Sequence, residues 1–211
     1  MYSRVSLTVR EKTLPGFQLI AGHPALDFIN TLDWRFRNEG PEELLKSYDD
    51  FLRFTEQSKL LTVRQVRQLR RAINGSMGGR TLARCTEFRE AIAEVSYARL
   101  DGRIPSVAAI RVLEQSFKAA RLYQKLCWKD SQLQWDLAEM ENKAELPLWL
   151  LSLSTSDLMM SEAMHDVRAC DNPECRWLFL DASKNHTRKW CDMKLCGNRM
   201  KARRFKAQRK I

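Results

Sequence analysis

No run of apolar residues in this 211-residue chain approaches the roughly 18 that a membrane-spanning helix requires. The longest, Leu146-Pro-Leu-Trp-Leu-Leu-Ser-Leu153, is short and is broken by Pro147. The opening residues, MYSRVSLTVREKTLPG, hold no apolar signal core, so neither export nor membrane insertion is expected and the chain reads as cytoplasmic. Histidine is scarce, with three copies, and there is no phosphate loop, no serine elbow and no HExxH pair. Nothing among these residues assembles an active site, so the sequence reads as a non-enzyme. Internal repeats, low-complexity tracts and C-x-x-C redox pairs are also absent.

The composition is that of an ordinary globular protein. Apolar residues make up 44% and charged residues 29%, which suffices for one sizeable core and argues against a disordered chain. Helical periodicity starts near Pro24 in HPALDFINTLDW, and Pro41 with its acidic neighbours predicts a second helix start. Thr62 is the expected N-cap of a third helix and Gly75 its stop, with SMGGR as a loop. Two long helices are expected over about 81–100 and 106–120, and another over about 146–168. YQKLCWKDSQLQWDL reads instead as a short β-hairpin around Lys129-Asp130-Ser131-Gln132. Trp34, Phe51, Trp149 and Met159 are assigned to packing. Asp27, Asn30 and Thr31 lie in a helix that buries Leu26, Phe28 and Ile29; they either brace neighbouring elements or line a small-molecule pocket.

Four of the six cysteines fall in the spacing Cys170-x4-Cys175-x15-Cys191-x4-Cys196, while Cys85 and Cys127 stand alone and read as small buried hydrophobes. In a reducing compartment disulfides are rare, and two short-spaced thiol pairs around a hairpin-sized insert fit a tetrahedral S4 zinc site. An iron–sulfur cluster is the competing reading, and His165 or His186 is the alternative ligand. RWLFLDA and TRKWC are expected to pair across SKNH, with Trp177, Phe179 and Trp190 as the hairpin's core rather than a base-stacking platform. So small a module cannot bury enough surface to fold well without its metal, whereas the helical body is expected to hold together without it. The predicted fold class is mainly α. A helical domain with a short β-hairpin spans 1–168, and a zinc-binding module of β-hairpin and basic helix spans 169–211.

Charge is concentrated in that module. From His165 onward lie 13 of the 36 Lys and Arg residues but only 5 of the 26 acidic ones, so most of the net +10 sits at one end of the sequence. A helix after Cys196, with Gly197 permitting a tight turn and Asn198 as N-cap, would carry Arg199, Lys201, Arg203, Arg204, Lys206, Arg209 and Lys210. Such a helix suits phosphate contacts, on DNA or on RNA. Arg199, in its first turn, either reads a guanine edge or braces the metal site through backbone carbonyls or Asp181.

The stretch from Cys170 to Phe205 closely resembles the CGNR zinc-finger family, whose tetrapeptide stands here as Cys196-Gly197-Asn198-Arg199. Phe179, Asp181, Ser183, Asn185, Arg188, Trp190 and Met193 share in the likeness. ALDFINT and the helix before the finger resemble the helical ABATE domain that accompanies it. The resemblance implies a bacterial, stress-related transcription regulator. The charge split and the finger motif together point to a zinc-dependent DNA-binding regulator whose helical domain senses a small effector or forms a homodimer. The alternative is a zinc-stabilised module for protein interaction without sequence-specific DNA binding.

Overall fold

The structure is a computed structural model, and it describes residues 16–137 and 140–209. Helix α1 (Pro24–Ile29) opens with Pro24 in its first turn and the His23 ring accepting from the Ala25 N–H. It is short and almost wholly buried. Strands β1 (Leu32–Asp33) and β2 (Glu42–Glu43) form a two-residue antiparallel pair, so Pro41 does not begin a helix as expected. Ser47 takes that role: its side chain accepts from Asp50 N–H and starts α2 (Tyr48–Gln57). Thr62 and Gln65 form a reciprocal capping box on α3 (Val63–Ala72), in the expected place.

The predicted SMGGR loop is helical. Ile73 turns extended, Asn74 accepts from Met77 N–H, and α4 (Gly75–Leu100) runs unbroken for 26 residues. The cap at Asn74 outweighs the weak helix propensity of Gly75, Gly78 and Gly79. Gly78 also lets α2 approach, because a Cβ there would stand 3.0 Å from Tyr48 Cβ. Helix α5 (Val107–Leu122) starts at the Ser106 cap. Strands β3 (Lys125–Lys129) and β4 (Gln132–Asp136) make the expected hairpin, with a two-residue turn at Asp130-Ser131.

Helix α6 (Leu146–Met159) is apolar on nearly every side and sits centrally, against α1, α2 and α5. It ends well before Arg168. A single 3-10 turn, Glu162–Asp166, redirects the chain into β5 (Val167–Ala169). This strand pairs antiparallel with β6 (Leu178–Leu180) in the register Val167↔Leu180, Arg168↔Phe179, Ala169↔Leu178. The expected pairing of RWLFLDA with TRKWC does not form. The chain closes with a π turn, Met193–Gly197, that continues into α7 (Asn198–Gln208).

One large core joins these parts. Phe28 lies 5.9, 5.6 and 6.5 Å from Phe51, Phe54 and Phe88, ring centre to ring centre. The same cluster continues through Leu148, Leu151 and Val167 to Leu178 and Phe179 and to all four paired cysteines. Phe51 and Trp149 are core residues, and the partly buried Trp34 and Met159 pack against the main core, so all four serve packing as assigned. A second cluster gathers Leu52, Leu69, Leu146 and Trp149 at the α2–α3–α6 junction. Among the described residues no helix is long and apolar enough to cross a membrane.

Candidate metal centre and basic helix

The first cysteine pair rides on the turn that links β5 to β6. Cys170 N–H donates to Trp177 O (2.9 Å), and the N–H groups of Cys175 and Arg176 both converge on Asn172 O (3.0 Å each). Asn172 is fully buried; its Oδ1 accepts from Glu174 N–H (3.3 Å) and its amide donates to Cys196 Sγ (3.5 Å). It thereby ties the first pair to the second. The second pair is set by Asp192, whose carboxylate accepts from Leu195 N–H (2.8 Å) and whose carbonyl accepts from Cys196 and Gly197. Asp192, rather than Asn198, is the residue that begins this helical segment.

Gly197 is not in the tight-turn conformation expected for it, since its φ of −59° is helical. Its place is a tight one rather than a turn: a Cβ would approach Trp190 Cδ1 to 3.1 Å and displace the flexible, exposed Met193 side chain.

The four Sγ atoms of Cys170, Cys175, Cys191 and Cys196 lie within 4.8 Å of one another, and all four residues are buried. Cys175 and Cys191 are 3.8 Å apart. A tetrahedron with metal–sulfur bonds of about 2.3 Å has edges of about 3.8 Å, so the donor set and its spacing fit zinc. Without a cation the four thiols conflict. Cys175 and Cys191 are pushed far above the ordinary thiol range by hydrogen bonding to the neighbouring sulfurs, Cys170 first, and by burial. Cys196 is drawn far below it by hydrogen bonds with Cys170, Cys175 and Cys191 and from Asn172. A divalent ion resolves the conflict by accepting thiolate from every member. Cys85 is fully buried, whereas Cys127 is half-buried in the β3–β4 hairpin. His165 and His186 are exposed and outside the cluster; His186 Nδ1 lies 3.1 Å from Asp166.

Arg188 and Asp181 hold the loops that carry the sulfur cage. Arg188 lies over the Phe179 ring (4.2 Å) and donates to the carbonyls of Trp190 (3.0 Å), Leu180 (3.5 Å) and Cys191. Asp181 accepts from Ser183 O–H (2.5 Å), Ser183 N–H (3.0 Å) and Arg188 N–H (2.9 Å); these bonds, the hydroxyl first, hold its carboxyl below the usual range. Sequence reasoning assigned neither role, although Asp181, Ser183 and Arg188 stood in the family motif.

Asp27, Asn30 and Thr31 are all buried, and each is bonded to protein. Asp27 Oδ1 accepts from Ala21 N–H (2.9 Å). Asn30 donates to Leu178 O (2.9 Å) and accepts from Leu178 N–H (3.0 Å), completing the edge of β6 as a neighbouring strand would. Thr31 O–H donates to Phe28 O (2.6 Å) and its oxygen accepts from Arg89 (3.1 Å). Arg89 is buried at 1% exposure; burial works against its charge, and Glu43 and Glu90 more than offset it. These bonds are those of braces. Sequence reasoning missed Arg89, because its partners are remote in the chain. Further bonds fasten the finger to the body: Ala21 O accepts from Leu180 N–H (2.8 Å) and Arg176 O from Tyr97 O–H (2.9 Å).

Helix α7 has no buried residue and no acidic one. Arg199 lies over the Trp34 ring (4.6 Å), and Arg203 pairs with Glu174 (2.9 Å). Arg209 folds back over Phe205 (4.5 Å). Lys201, Arg204 and Lys206 are exposed and form no ion pair among the described residues. Lys210 lies outside the described residues.

Residues 22–162 match the family model described as "putative stress-induced transcription regulator", and residues 167–209 match the model of the CGNR zinc finger. Zinc is the cofactor that this finger and the sulfur geometry support. No curated protein matches the chain.

Proposed function

This chain belongs to the ABATE family and carries a CGNR zinc finger, and from that premise we propose that it is a zinc-dependent DNA-binding transcription regulator. In this proposal Cys170, Cys175, Cys191 and Cys196 hold one Zn2+. Residues 169–211 contact DNA, and residues 1–168 receive the signal. The metal supplies a rigid origin for α7, since Cys196 lies within the turn that runs into it.

The observation that carries the reading is the state of α7. It holds Arg199, Lys201, Arg203, Arg204 and Lys206, buries nothing, and leans on the body only along the face of Arg199 and Arg203. At 100° per residue, Lys201 and Arg204 fall on the opposite face. A free cationic face on a helix fixed at one end suits phosphate contact and entry to a major groove. Arg209 and Lys210 extend the run. Electrophoretic retention of mixed duplex DNA by the zinc-loaded chain tests this. The double charge reversal of Lys201 and Arg204 to Glu should abolish retention, and equal retention by that variant refutes the reading.

The signal-receiving part has its own support. A groove of about 600 Å³ runs between α4, α5 and α6. Leu113, Phe117, Met159 and Met164 line it with apolar surface beside the exposed Met160, and Arg99, Arg121 and the Lys118–Glu114 ion pair complete its lining. That chemistry suits a small apolar effector with an anionic head. The alternative function, a finger that docks the helical domain or a protein partner, draws support for the first of these from the Asn30–Leu178 and Tyr97–Arg176 bonds. It leaves the free face of α7 unused.

A further inference from the structure

The β3–β4 hairpin turns its apolar face to solvent. Asp130 and Ser131 both have positive φ, 51° and 63°, so the turn is type I′ and Lys129↔Gln132 closes it. The alternation of an antiparallel ladder then makes Trp128↔Leu133 and Leu126↔Trp135 the close, non-hydrogen-bonded pairs, both on one face. That face is open to solvent: Leu126 is 54% exposed, Trp128 71%, Leu133 62% and Trp135 65%. The opposite face, with Cys127 and Gln134, is the half-buried one. Amphipathic hairpins ordinarily bury the apolar side, and contiguous exposed tryptophan marks a contact surface.

The arrangement of the four side chains points to its occupant. Leu126 and Leu133 occupy one diagonal of the face, Trp128 and Trp135 the other. A two-fold axis through the centre of the face therefore exchanges leucine with leucine and tryptophan with tryptophan. When a second, identical face is laid on it about a dyad in the contact plane, parallel or perpendicular to the strands, every indole falls on a leucine. An isologous contact requires this self-complementarity, and a partner of different sequence does not. The remaining charges suit it as well. Lys125 and Lys129 are balanced by Asp130 and Asp136, so two copies bring no net like charge together. A nucleic acid would call for a cationic surface here.

We propose that the chain forms a two-fold homodimer through the Leu126, Trp128, Leu133 and Trp135 face of this hairpin. The four side chains offer roughly 500 Å² per copy, or about 1,000 Å² for the pair, at the lower edge of specific interfaces. Dimerisation in the micromolar range is the corresponding expectation. The inference goes beyond the DNA-binding proposal and does not depend on it, because no residue of α7 takes part.

Sedimentation velocity on the zinc-loaded full chain, without DNA, from about 1 to 100 μM tests it. The wild type should pass from monomer to dimer across that range. The double variant Trp128→Ser, Trp135→Ser should stay monomeric with unchanged helical circular dichroism and zinc content. A photo-reactive benzoylphenylalanine at Leu133 should cross-link to residues 126–135 of the partner copy. A wild type monomeric throughout, a double variant that still dimerises, or cross-links that map elsewhere each overturn the proposal. A monomer that instead binds anionic vesicles through this face overturns it too.

Discussion

The guanidinium of Arg199 stacks on the indole of Trp34, 4.6 Å from the ring centre, and this contact joins the first turn of the basic helix to the helical domain. Of the two roles weighed for Arg199, reading a base or bracing the finger, the geometry favours a brace, though not the one expected. Asp181 is occupied by Ser183 and Arg188. A partly exposed cation–π contact is worth about 0.5–1 kcal/mol. Arg199→Ala should therefore lower the midpoint of thermal unfolding by about 1–4 °C. It should leave zinc stoichiometry at one and quench or shift the Trp34 fluorescence. A variant with unchanged melting but altered discrimination among DNA sequences would restore the base-reading role.

Arg203 and Arg204 look equivalent in the sequence and are not. Arg203 is paired with Glu174 (2.9 Å), whereas Arg204 faces away from the body. If α7 binds duplex DNA, Arg204→Ala should make the slope of log K against log salt shallower by about 0.9. Arg203→Ala should change it by less than half as much. Glu174→Gln releases Arg203 and should tighten binding. Fluorescence anisotropy across a salt series measures all three, and equal slopes for the two arginine variants would show that the ion pair opens on binding.

What was legible in the sequence divides along the range of the interactions. The metal centre was legible because thiol spacing is local and thiolate chemistry is specific, and the cap at Thr62 was legible for the same reason of locality. The strand partner of β6 was not. RWLFLDA and TRKWC both have strand character, but the carbonyls of Leu180, Trp190 and Cys191 are taken by one side chain, Arg188, which leaves no ladder to form. The partner that wins, Val167–Ala169, reads as the tail of a helix until the 3-10 turn before it is seen. Arg89 was hidden because an arginine in an apolar helix reads as exposed unless Glu43 and Glu90 are known to converge on it.

Removal of zinc should reach beyond the finger. The helical body was expected to hold together alone, but Leu178 and Phe179 lie at 0% exposure in its main core and the Asn30 amide bonds both polar groups of Leu178. Chelation should therefore lower the melting temperature of the whole chain in one transition, with loss of helical signal as well as finger structure. The coupling can be weakened separately. Asn30→Ala strands a buried N–H and a buried C=O, a cost of about 2–4 kcal/mol, and should lower the urea midpoint of the zinc-loaded protein without changing its zinc content. Two separate transitions on chelation, with the first confined to the finger, would show that the shared core does not couple them.

Asp27 links stability to pH through its burial. Desolvation raises its carboxyl to about 6, against the lowering effect of the Ala21 and Ile20 backbone N–H groups. In the unfolded chain the same group titrates near 3.9. The native state thus binds the proton more tightly than the unfolded state, so the stabilisation is complete at low pH and is lost as pH rises through about 6. Two pKa units correspond to a cost on the order of 2–3 kcal/mol at neutral pH. Asp27→Asn keeps an oxygen to accept from Ala21 N–H and removes the charge. Between pH 5.5 and 8, urea unfolding of the zinc-loaded proteins should show the variant gaining on the wild type with rising pH, then holding a constant advantage. Comparison at each pH cancels any loss of metal common to both. A difference that stays flat across the range would mean that Asp27 is ionised in the native state at no cost, with the Ala21 bond outweighing its burial.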